Sequence, residues 1–428
     1  MQLPFNGRII IIDDNIEETK PLIEILSKKR IPFNYYSGTN QNEFPDNNTA
    51  NKLRVLFLDL NIFELNKDAK TVISSIHGIL TSFIPDNPSP YLLIIWSKQD
   101  KEYKHALEDH FKNIIPLKTP SEIIFLSKSK YFDYVDSKWV PQTDCINKLT
   151  TDLTLKLDNI SFLRNLIRWE NIVHESTTKT INEISSFYPQ NQDWNKNTLA
   201  IIYKLAKSII GNDDILSTEN EQKFKKAFIH INSLLFDNVE NFVSESGLGN
   251  TTNIIDGRID EEISIQINTK LHTNNKNFLI DSFEPGNLYL LPIIRNELNT
   301  IIRKKVFKGK YDSLMSSFPW LVELDITPIC DYSQDKEYIR TILGLALSYE
   351  QRNICEKKGD YFYLTPTFKF NCQNRFFLFD FRQIKTTSKE EIKSRKIIPI
   401  LKLRRELCSD IQARLSNQIN RPGVSFVE

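Results

Sequence analysis

Three carboxylates follow two short apolar segments near the amino terminus. Residues 9–12 are consecutive isoleucines followed by Asp13 and Asp14, and the apolar residues 55–58 are followed by Asp59. Each segment has the length and composition of one strand that is buried on both faces. At the carboxyl edge of an open α/β sheet these acids would lie together and repel one another unless a cation sits between them. The spacing therefore predicts a Mg²⁺ site beside an aspartate that accepts a phosphoryl group.

The surrounding sequence alternates between strand and helix patterns, which predicts a parallel sheet with right-handed crossover helices. Two later strand patterns end in polar groups, the first in Ser97 and the second in Lys128. In a parallel sheet these residues would lie at the same edge as the carboxylates. The predicted strands are residues 8–12, 31–36, 54–60, 91–96 and 123–126, and the predicted helices are residues 17–29, 68–83 and 101–111.

Two lysines compete for the position after the last strand of this sheet. Lys118 precedes a Thr-Pro dipeptide, and Lys128 directly follows the apolar segment 123–126 and a serine. Residues 123–126 are the better strand pattern, because they form an uninterrupted apolar run. We therefore prefer Lys128.

The order of these groups resembles that of response-regulator receiver domains. An acidic pair after strand one, an Asp after strand three, a hydroxyl after strand four and a Lys after strand five are here Asp13 and Asp14, Asp59, Ser97 and Lys128. The resemblance implies a flavodoxin-like fold in which Asp13, Asp14 and Asp59 bind Mg²⁺. It also implies that Asp59 takes the phosphoryl group, that Ser97 contacts this group and that Lys128 pairs with it.

The chain also resembles a divergent receiver family that occurs beside histidine kinases and toxic effectors in bacterial antiviral operons of the Detocs type. This resemblance implies a two-component or phosphorelay signalling protein that receives its phosphoryl group from a partner histidine kinase. An effector protein would be a second partner, and antiphage defence would be the process served. Such a protein is a phosphoacceptor rather than a dedicated enzyme.

Composition argues against several other classes of protein. The 428 residues carry 55 basic and 54 acidic side chains, so general affinity for nucleic acid or anionic membrane is not expected. Apolar segments are shorter than a membrane helix requires, and the amino terminus lacks a signal-peptide pattern. The five cysteines have no close pairs, which argues against a disulfide framework or a zinc site. We therefore expect a cytoplasmic protein.

The rest of the chain divides into a helical region and a carboxyl-terminal α+β region. Residues 139–245 have apolar side chains at helical spacing, which is typical of a bundle core, a connector or a dimerising helix pair, so a homodimer stays open. Residues 244–259 are rich in Gly, Ser, Asn and Thr and resemble a linker. Beyond them, short aromatic or β-branched segments predict a small antiparallel barrel or curled sheet. The predicted domains are residues 1–138, 139–245 and 260–428.

Two other functions compete with phosphoryl acceptance. In the first, the carboxyl-terminal barrel carries nuclease-like toxin chemistry that the receiver gates, with Asp331, Asp380 and Arg382 as candidate acids and cation. In the second, the chain is an interaction scaffold whose receiver is degenerate. The first alternative requires an acid, a base and a cation that converge, and the second predicts that Mg²⁺ does not bind.

Overall fold

A computed structural model describes most of the chain, and its internal contacts divide the chain into two compact units. The first unit contains Met1–Gln192 and Ile231–Ile254, and the second contains Asp193–His230 and Ile255–Glu428. The protein is a mixed α/β protein. The described residues are 3–44, 53–62, 68–98, 100–136, 138–158, 161–187, 193–211, 215–246, 259–274, 283–291, 319–328, 331, 337–355, 361–394 and 399–419.

A five-stranded parallel sheet forms the centre of the first unit. Its strands are β1 (Ile9–Ile12), β2 (Asn34–Tyr36), β3 (Val55–Leu58), β4 (Leu92–Ser97) and β5 (Glu122–Ser127). The strand order is β2-β1-β3-β4-β5, which is consistent with the predicted flavodoxin-like fold. Ile12 lies opposite Leu58 in the pairing of β1 with β3, so the residues that follow these strands share one edge. The chain order reverses between β1 and β3, the place where such sheets open a crevice.

Helices cover both faces of this sheet. They are α1 (Ile16–Lys28), α2 (Ala69–Ser75), α3 (His77–Phe83), α4 (Asp100–Asn113), α5 (Cys145–Asp158) and α6 (Ser161–Ser185). Val55 and Phe57 of β3 enter one hydrophobic core with side chains of α1, α5 and α6. Leu56 and Leu58 enter the other core with side chains of α2, α3 and α4. Because both faces are covered, the central strands β1 and β3 are apolar without interruption.

The helices and turns of this unit differ from the sequence prediction in three places. The helix predicted over residues 68–83 is divided at Ile76 into α2 and α3. The apolar side chains of α5 and α6, predicted as part of a bundle core, a connector or a dimerising helix pair, pack into the core of the sheet. A hairpin of β6 (Phe132–Val135) and β7 (Lys138–Pro141), which was not predicted, lies between β5 and α5.

A curled antiparallel sheet is the main element of the second unit, as predicted. Its strands are β8 (Thr273–Asn274), β9 (Asn287–Leu290), β10 (Trp320–Asp325), β11 (Tyr338–Ser348), β12 (Phe362–Leu364), β13 (Phe368–Phe370), β14 (Gln373–Ser388) and β15 (Pro399–Leu403). The strand order is β12-β14-β11-β10-β9-β15-β8, and β13 also pairs with β14. The register of β11 against β14 shifts between Ile342 and Gly344. A Cβ atom at Gly344 would lie 2.7 Å from the carbonyl oxygen of Leu378, so the bulge requires glycine.

The strand around Phe377 is buried on both faces. Residues 375–381 are all buried, because the two faces of β14 enter different hydrophobic cores. Phe377 and Phe379 pack in the core that includes the last helix, whereas Leu378 packs in the other core. The remaining helices are α7 (Trp194–Ile210), α8 (Asn220–Glu245), which has residues in both units, α9 (Glu261–His272), α10 (Arg352–Cys355), α11 (Lys389–Ser394) and α12 (Arg405–Ile419).

Three sequence predictions concern the chain as a whole. Every helix among the described residues is too short or too polar to cross a lipid bilayer. The predicted linker falls largely on residues 247–258, which lie outside the described residues. The predicted domain boundaries near residues 138, 245 and 260 stay predictions.

Candidate functional site

The three predicted carboxylates lie together at the carboxyl edge of the parallel sheet. Asp13 directly follows β1 and Asp59 directly follows β3, and both side chains are buried. The backbone N–H of Asp59 donates to the carbonyl oxygen of Ile12 at 2.9 Å, which fixes the two strand ends side by side. Asp14 is exposed at the same edge. Asp13, Asp14 and Asp59 each offer an oxygen within 4.8 Å of the other two.

These acids do not serve as helix caps, which would be the simplest structural reason for Asp after a strand. The cap of α1 is Asn15, whose side chain accepts a hydrogen bond from the backbone N–H of Glu17 at 3.1 Å. Asp13 Oδ1 accepts a hydrogen bond from the backbone N–H of Asn15 at 3.0 Å. After Asp59, the next described helix is α2, which Asp68 caps. Helix capping therefore does not account for Asp13 or Asp59.

Lys128 brings a buried positive charge into this group of acids. It begins a short 3₁₀ helix after β5 and is fully buried. Its Nζ donates to Asp59 Oδ2 at 2.6 Å. The same Nζ forms an ion pair with Asp13 Oδ2 at 2.7 Å. One ammonium group thus joins the ends of β1 and β3.

The competing lysine, Lys118, lies elsewhere. Its Nζ donates to the carbonyl oxygen of Ile84 and forms an ion pair with Asp86 at 3.0 Å. Lys118 is therefore engaged with the segment that follows α3. Of the two lysines considered from the sequence, Lys128 is the one in contact with Asp59.

Ser97 reaches the carboxylates through Asn61, which the sequence analysis did not single out. The side-chain amide of Asn61 donates to Ser97 Oγ at 3.0 Å, and its backbone N–H donates to Asp59 Oδ1 at 3.0 Å. Ser97 is completely buried at the end of β4. The side-chain oxygen of Asn61 is also buried, and it makes no hydrogen bond to any residue that the structure describes. The sequence feature that could have indicated Asn61 was its position two residues after Asp59.

Glu18 and Lys98 extend the cluster and were likewise missed. Glu18 lies in the first turn of α1, where its Oε2 accepts a hydrogen bond from Lys128 Nζ at 3.1 Å. Its Oε1 accepts hydrogen bonds from Lys98 Nζ at 2.7 Å and from the side-chain amide of Asn15 at 2.9 Å. From the sequence alone, Glu18 resembles an ordinary acidic residue at a helix amino terminus. Its burial is what distinguishes it, at 4% exposure.

Burial and crowding change the ionisation of these groups. Burial raises the pKa of Asp13 to about 7; the positive charge of Lys128 opposes this rise, and the negative charge of Asp59 adds to it. Burial also raises the pKa of Asp14, and Asp59 acts in the same direction. For Lys128, burial alone would lower the pKa, but the nearby carboxylates outweigh it and hold the pKa above its ordinary value. Lys128 is therefore charged, and Asp13 is poised to exchange a proton near neutral pH.

The residues present fit a hard divalent cation. Four carboxylates and two ammonium groups meet at this edge: Asp13, Asp14, Glu18, Asp59, Lys98 and Lys128. With every group ionised, two negative charges are left over, which is the charge that Mg²⁺ would neutralise. Oxygen donors are the ligands that Mg²⁺ prefers, and the three aspartates offer carboxylate oxygens within 4.8 Å of one another. The acidic cluster of Asp13, Asp14 and Asp59 could thus hold a metal ion.

The candidate residues of the carboxyl-terminal sheet form separate ion pairs. Arg382 donates to both carboxylate oxygens of Asp380, at 2.8 and 2.7 Å, and its guanidinium lies 4.0 Å from the centre of the Tyr361 ring. Asp331 lies 3.8 Å from the guanidinium of Arg340. Arg382 is therefore already satisfied by a bidentate partner and an aromatic ring, as in a structural ion pair. These contacts do not favour the nuclease-like alternative.

Comparisons with known proteins add no further assignment. No protein-family model matches this chain, and no curated protein is similar to it. The receiver resemblance therefore depends on the strand order and on the residues at the carboxyl edge. Both are observations of this chain itself.

Proposed function

We propose that this chain is a phosphorylation-controlled signalling protein that accepts a phosphoryl group on Asp59. The observation that carries the proposal is the position of the Lys128 ammonium, 2.6 Å from Asp59 and 2.7 Å from Asp13 at the end of a parallel sheet. A buried lysine shared by carboxylates from two strands is costly as a purely structural feature. It becomes useful when negative charge is added at Asp59.

In the proposed step, a carboxylate oxygen of Asp59 attacks the phosphorus atom of the donor. A bond forms between this oxygen and phosphorus, and the bond from phosphorus to the donor breaks. The leaving group departs with the bonding electron pair, as acetate from acetyl phosphate or as an imidazole from a phosphohistidine. The product is an aspartyl phosphate, and a carboxylate nucleophile needs no general base.

The surrounding residues have distinct roles in this step. Lys128 offsets the negative charge that builds up on the transferred group, from a site where water is excluded. The backbone N–H of Asn61 contacts the other oxygen of Asp59, and its side-chain amide contacts Ser97. In the proposal, the Ser97 hydroxyl and the Asn61 amide would contact the phosphoryl oxygens. Asp13, Asp14 and Asp59 would hold Mg²⁺, which would supply further charge neutralisation when bound.

The physiological donor in this proposal is a histidine kinase, and the output is the binding or control of an effector protein. Antiphage defence is the process that the family resemblance implies. The Asp380–Arg382 ion pair gives no support for catalysis in the carboxyl-terminal sheet. The chain would therefore act as a phosphoacceptor.

Incubation of the full chain with acetyl phosphate and Mg²⁺ tests the proposal. We expect an increase in intact mass of one phosphoryl group, lost on treatment with hydroxylamine, which cleaves acyl phosphates. Asp59→Asn should abolish this modification because the amide is not a nucleophile. Peptide mapping after reduction of the acyl phosphate should locate the label at residue 59.

The matched control is Asp109→Asn, an exposed aspartate on α4. This variant should be modified as fully as the wild type. If the folded wild-type chain forms no hydroxylamine-sensitive adduct, or if Asp59→Asn forms as much as the wild type, the proposed function is wrong.

A further inference from the structure

Glu18 is a buried carboxylate that holds two ammonium groups at once. One oxygen faces Lys128, which is fully buried, and the other faces Lys98, whose side chain is 21% exposed. A hydrogen bond from the Asn15 side chain to Oε1 fixes the carboxylate further. Glu18 therefore connects the buried Lys128 to the partly exposed Lys98, which marks the rim of the acceptor site.

The ammonium group of Lys128 has three N–H donors and three carboxylates within reach. Two of these carboxylates, Asp59 and Asp13, come from strand ends, and Glu18 supplies the third from α1. A lysine side chain has several rotatable bonds, so two partners leave the head group free to turn. The third partner restricts it to the direction of Asp59. This role is one of positioning, because Glu18 acts through Lys128.

The rim of the site continues to the β6–β7 hairpin. Lys98 Nζ lies 5.1 Å from the centre of the Trp139 ring on β7, within the range of a cation–π contact. Trp139 in turn packs against Tyr134 on β6, with ring centres 5.3 Å apart. A continuous set of contacts thus leads from Asp59 through Lys128, Glu18 and Lys98 to Trp139.

We propose that Glu18 is a positioning residue for Lys128, and that through Lys98 it links the state of Asp59 to the β6–β7 hairpin. The inference rests on the proposed function. A phosphoryl group on Asp59 adds negative charge next to Lys128 and draws its ammonium toward the new oxygens. The contact between Lys128 and Glu18 weakens, the contact of Glu18 with Lys98 changes in compensation, and the environment of Trp139 changes with it.

The first test compares Glu18→Gln with Glu17→Gln. Glutamine keeps the size of the side chain but removes the charge that holds both lysines. We expect Glu18→Gln to form the Asp59 acyl phosphate about tenfold more slowly, the lower end of the loss seen when an orienting partner is removed. Glu17 is an exposed neighbour on the same helix, paired only with Lys20 among its charged contacts in the described chain. Glu17→Gln should therefore react at the wild-type rate.

The second test follows Trp139 fluorescence when beryllofluoride and Mg²⁺ are added. Beryllofluoride mimics a phosphoryl group on aspartate, so the wild type should respond, and Trp139→Phe identifies the part of the signal due to this residue. Glu18→Gln and Lys98→Met should each abolish that part. Lys98→Met leaves the buried Glu18–Lys128 contact in place, so it serves as the second variant if Glu18→Gln folds poorly.

Each result has a defined meaning. If Glu18 contributed to stability alone, Glu18→Gln would have a lower unfolding temperature, but the folded variant would keep the wild-type rate and Trp139 response. That result would overturn the inference. If the wild type forms the acyl phosphate and Glu18→Gln behaves as Glu17→Gln does, only the inference fails. If the wild type forms none, the proposed function fails and the inference falls with it.

Discussion

The two edges of the parallel sheet carry opposite arrangements of charge. At the amino edge, Arg8 and Arg54 precede β1 and β3, and both bind Glu170 of α6. Arg8 Nη1 lies 2.9 Å and Arg54 Nη2 lies 2.6 Å from the same oxygen of Glu170. At the carboxyl edge, one fully buried lysine serves Asp13, Asp59 and Glu18 instead. Two cations thus share one acid at the first edge, whereas several acids share one buried cation at the second.

This difference separates a structural ion cluster from the one that we propose to be reactive. The side chain of Arg8 is 30% exposed, so the single positive charge left over at the amino edge is solvated by water. At the carboxyl edge the surplus is negative, and Lys128, Asp13 and Asp59 are shielded from water. An unbalanced charge is costly in such surroundings, unless a cation or a proton balances it. The carboxyl edge is therefore expected to take up a cation or a proton, and the amino edge is not.

The largest effect is expected when the buried cation is removed. Lys128→Met keeps the unbranched shape and most of the length of the side chain but leaves three carboxylates without their shared ammonium group. Without metal, we expect the free energy of unfolding to fall by about 3–5 kcal/mol, the usual cost of breaking a buried ion pair. Urea unfolding monitored by circular dichroism measures this change. Added Mg²⁺ should restore part of the loss, because it balances the same carboxylates.

The control for this prediction is Lys130→Met, an exposed lysine in the same 3₁₀ helix. Its free energy of unfolding should stay within about 0.5 kcal/mol of the wild type. A loss of less than about 1 kcal/mol for Lys128→Met would contradict the view that this edge depends on charge balance.

A second prediction concerns pH. When no metal is bound, a proton on Asp13 can reduce the surplus negative charge of the cluster. Burial raises its pKa from 3.8 to about 7, so between these values the folded chain holds a proton that the unfolded chain has lost. The metal-free protein should therefore lose stability as pH rises through this interval. Mg²⁺ must displace the same proton, so its affinity should increase by up to about tenfold per pH unit below pH 7 and level off above it.

Calorimetric titration with Mg²⁺ at several pH values measures the affinity, and thermal unfolding without metal measures the stability. In Asp13→Asn, which has no proton to release at this position, the fall in metal-free stability should be smaller than in the wild type. An affinity for Mg²⁺ that stays constant below pH 7 would show that Asp13 is not the group that metal binding must deprotonate.

The strands and the predicted acids of the carboxyl edge could be anticipated because parallel strands buried on both faces leave a distinct pattern. Ile9–Ile12 and Val55–Leu58 are apolar without interruption, and each is followed at once by an aspartate. The pattern indicates where a strand ends, and parallel pairing then brings the ends together.

The rim of the site could not be anticipated in the same way. Glu18 is buried because the first turn of α1 faces Lys128. The orientation of a helix about its own axis depends on packing between segments that are distant in the sequence. The β6–β7 hairpin had a local signal, since aromatic and β-branched residues flank a turn at Asp136, whose φ is +48°. The local sequence pattern thus predicted the strands, whereas contacts between distant elements determine the network of charged residues at their ends.

The smallest effect is expected at the amino edge. Glu170→Gln removes the charge that Arg8 and Arg54 share but keeps an oxygen that can accept their hydrogen bonds. Since these side chains are partly solvated, we expect a loss of about 1 kcal/mol in the free energy of unfolding. Urea unfolding measures this loss, with Glu175→Gln as the control, because Glu175 is an exposed glutamate on the same helix.

The same variant tests whether the two edges are independent. Glu170 contacts the strands at their amino ends, so Glu170→Gln should form the Asp59 acyl phosphate as fast as the wild type once the folded fraction is matched. A slower reaction would mean that the amino edge controls the carboxyl edge through the strands. The distinction between a structural edge and a reactive edge would then no longer hold, because both would belong to one charge-coupled unit.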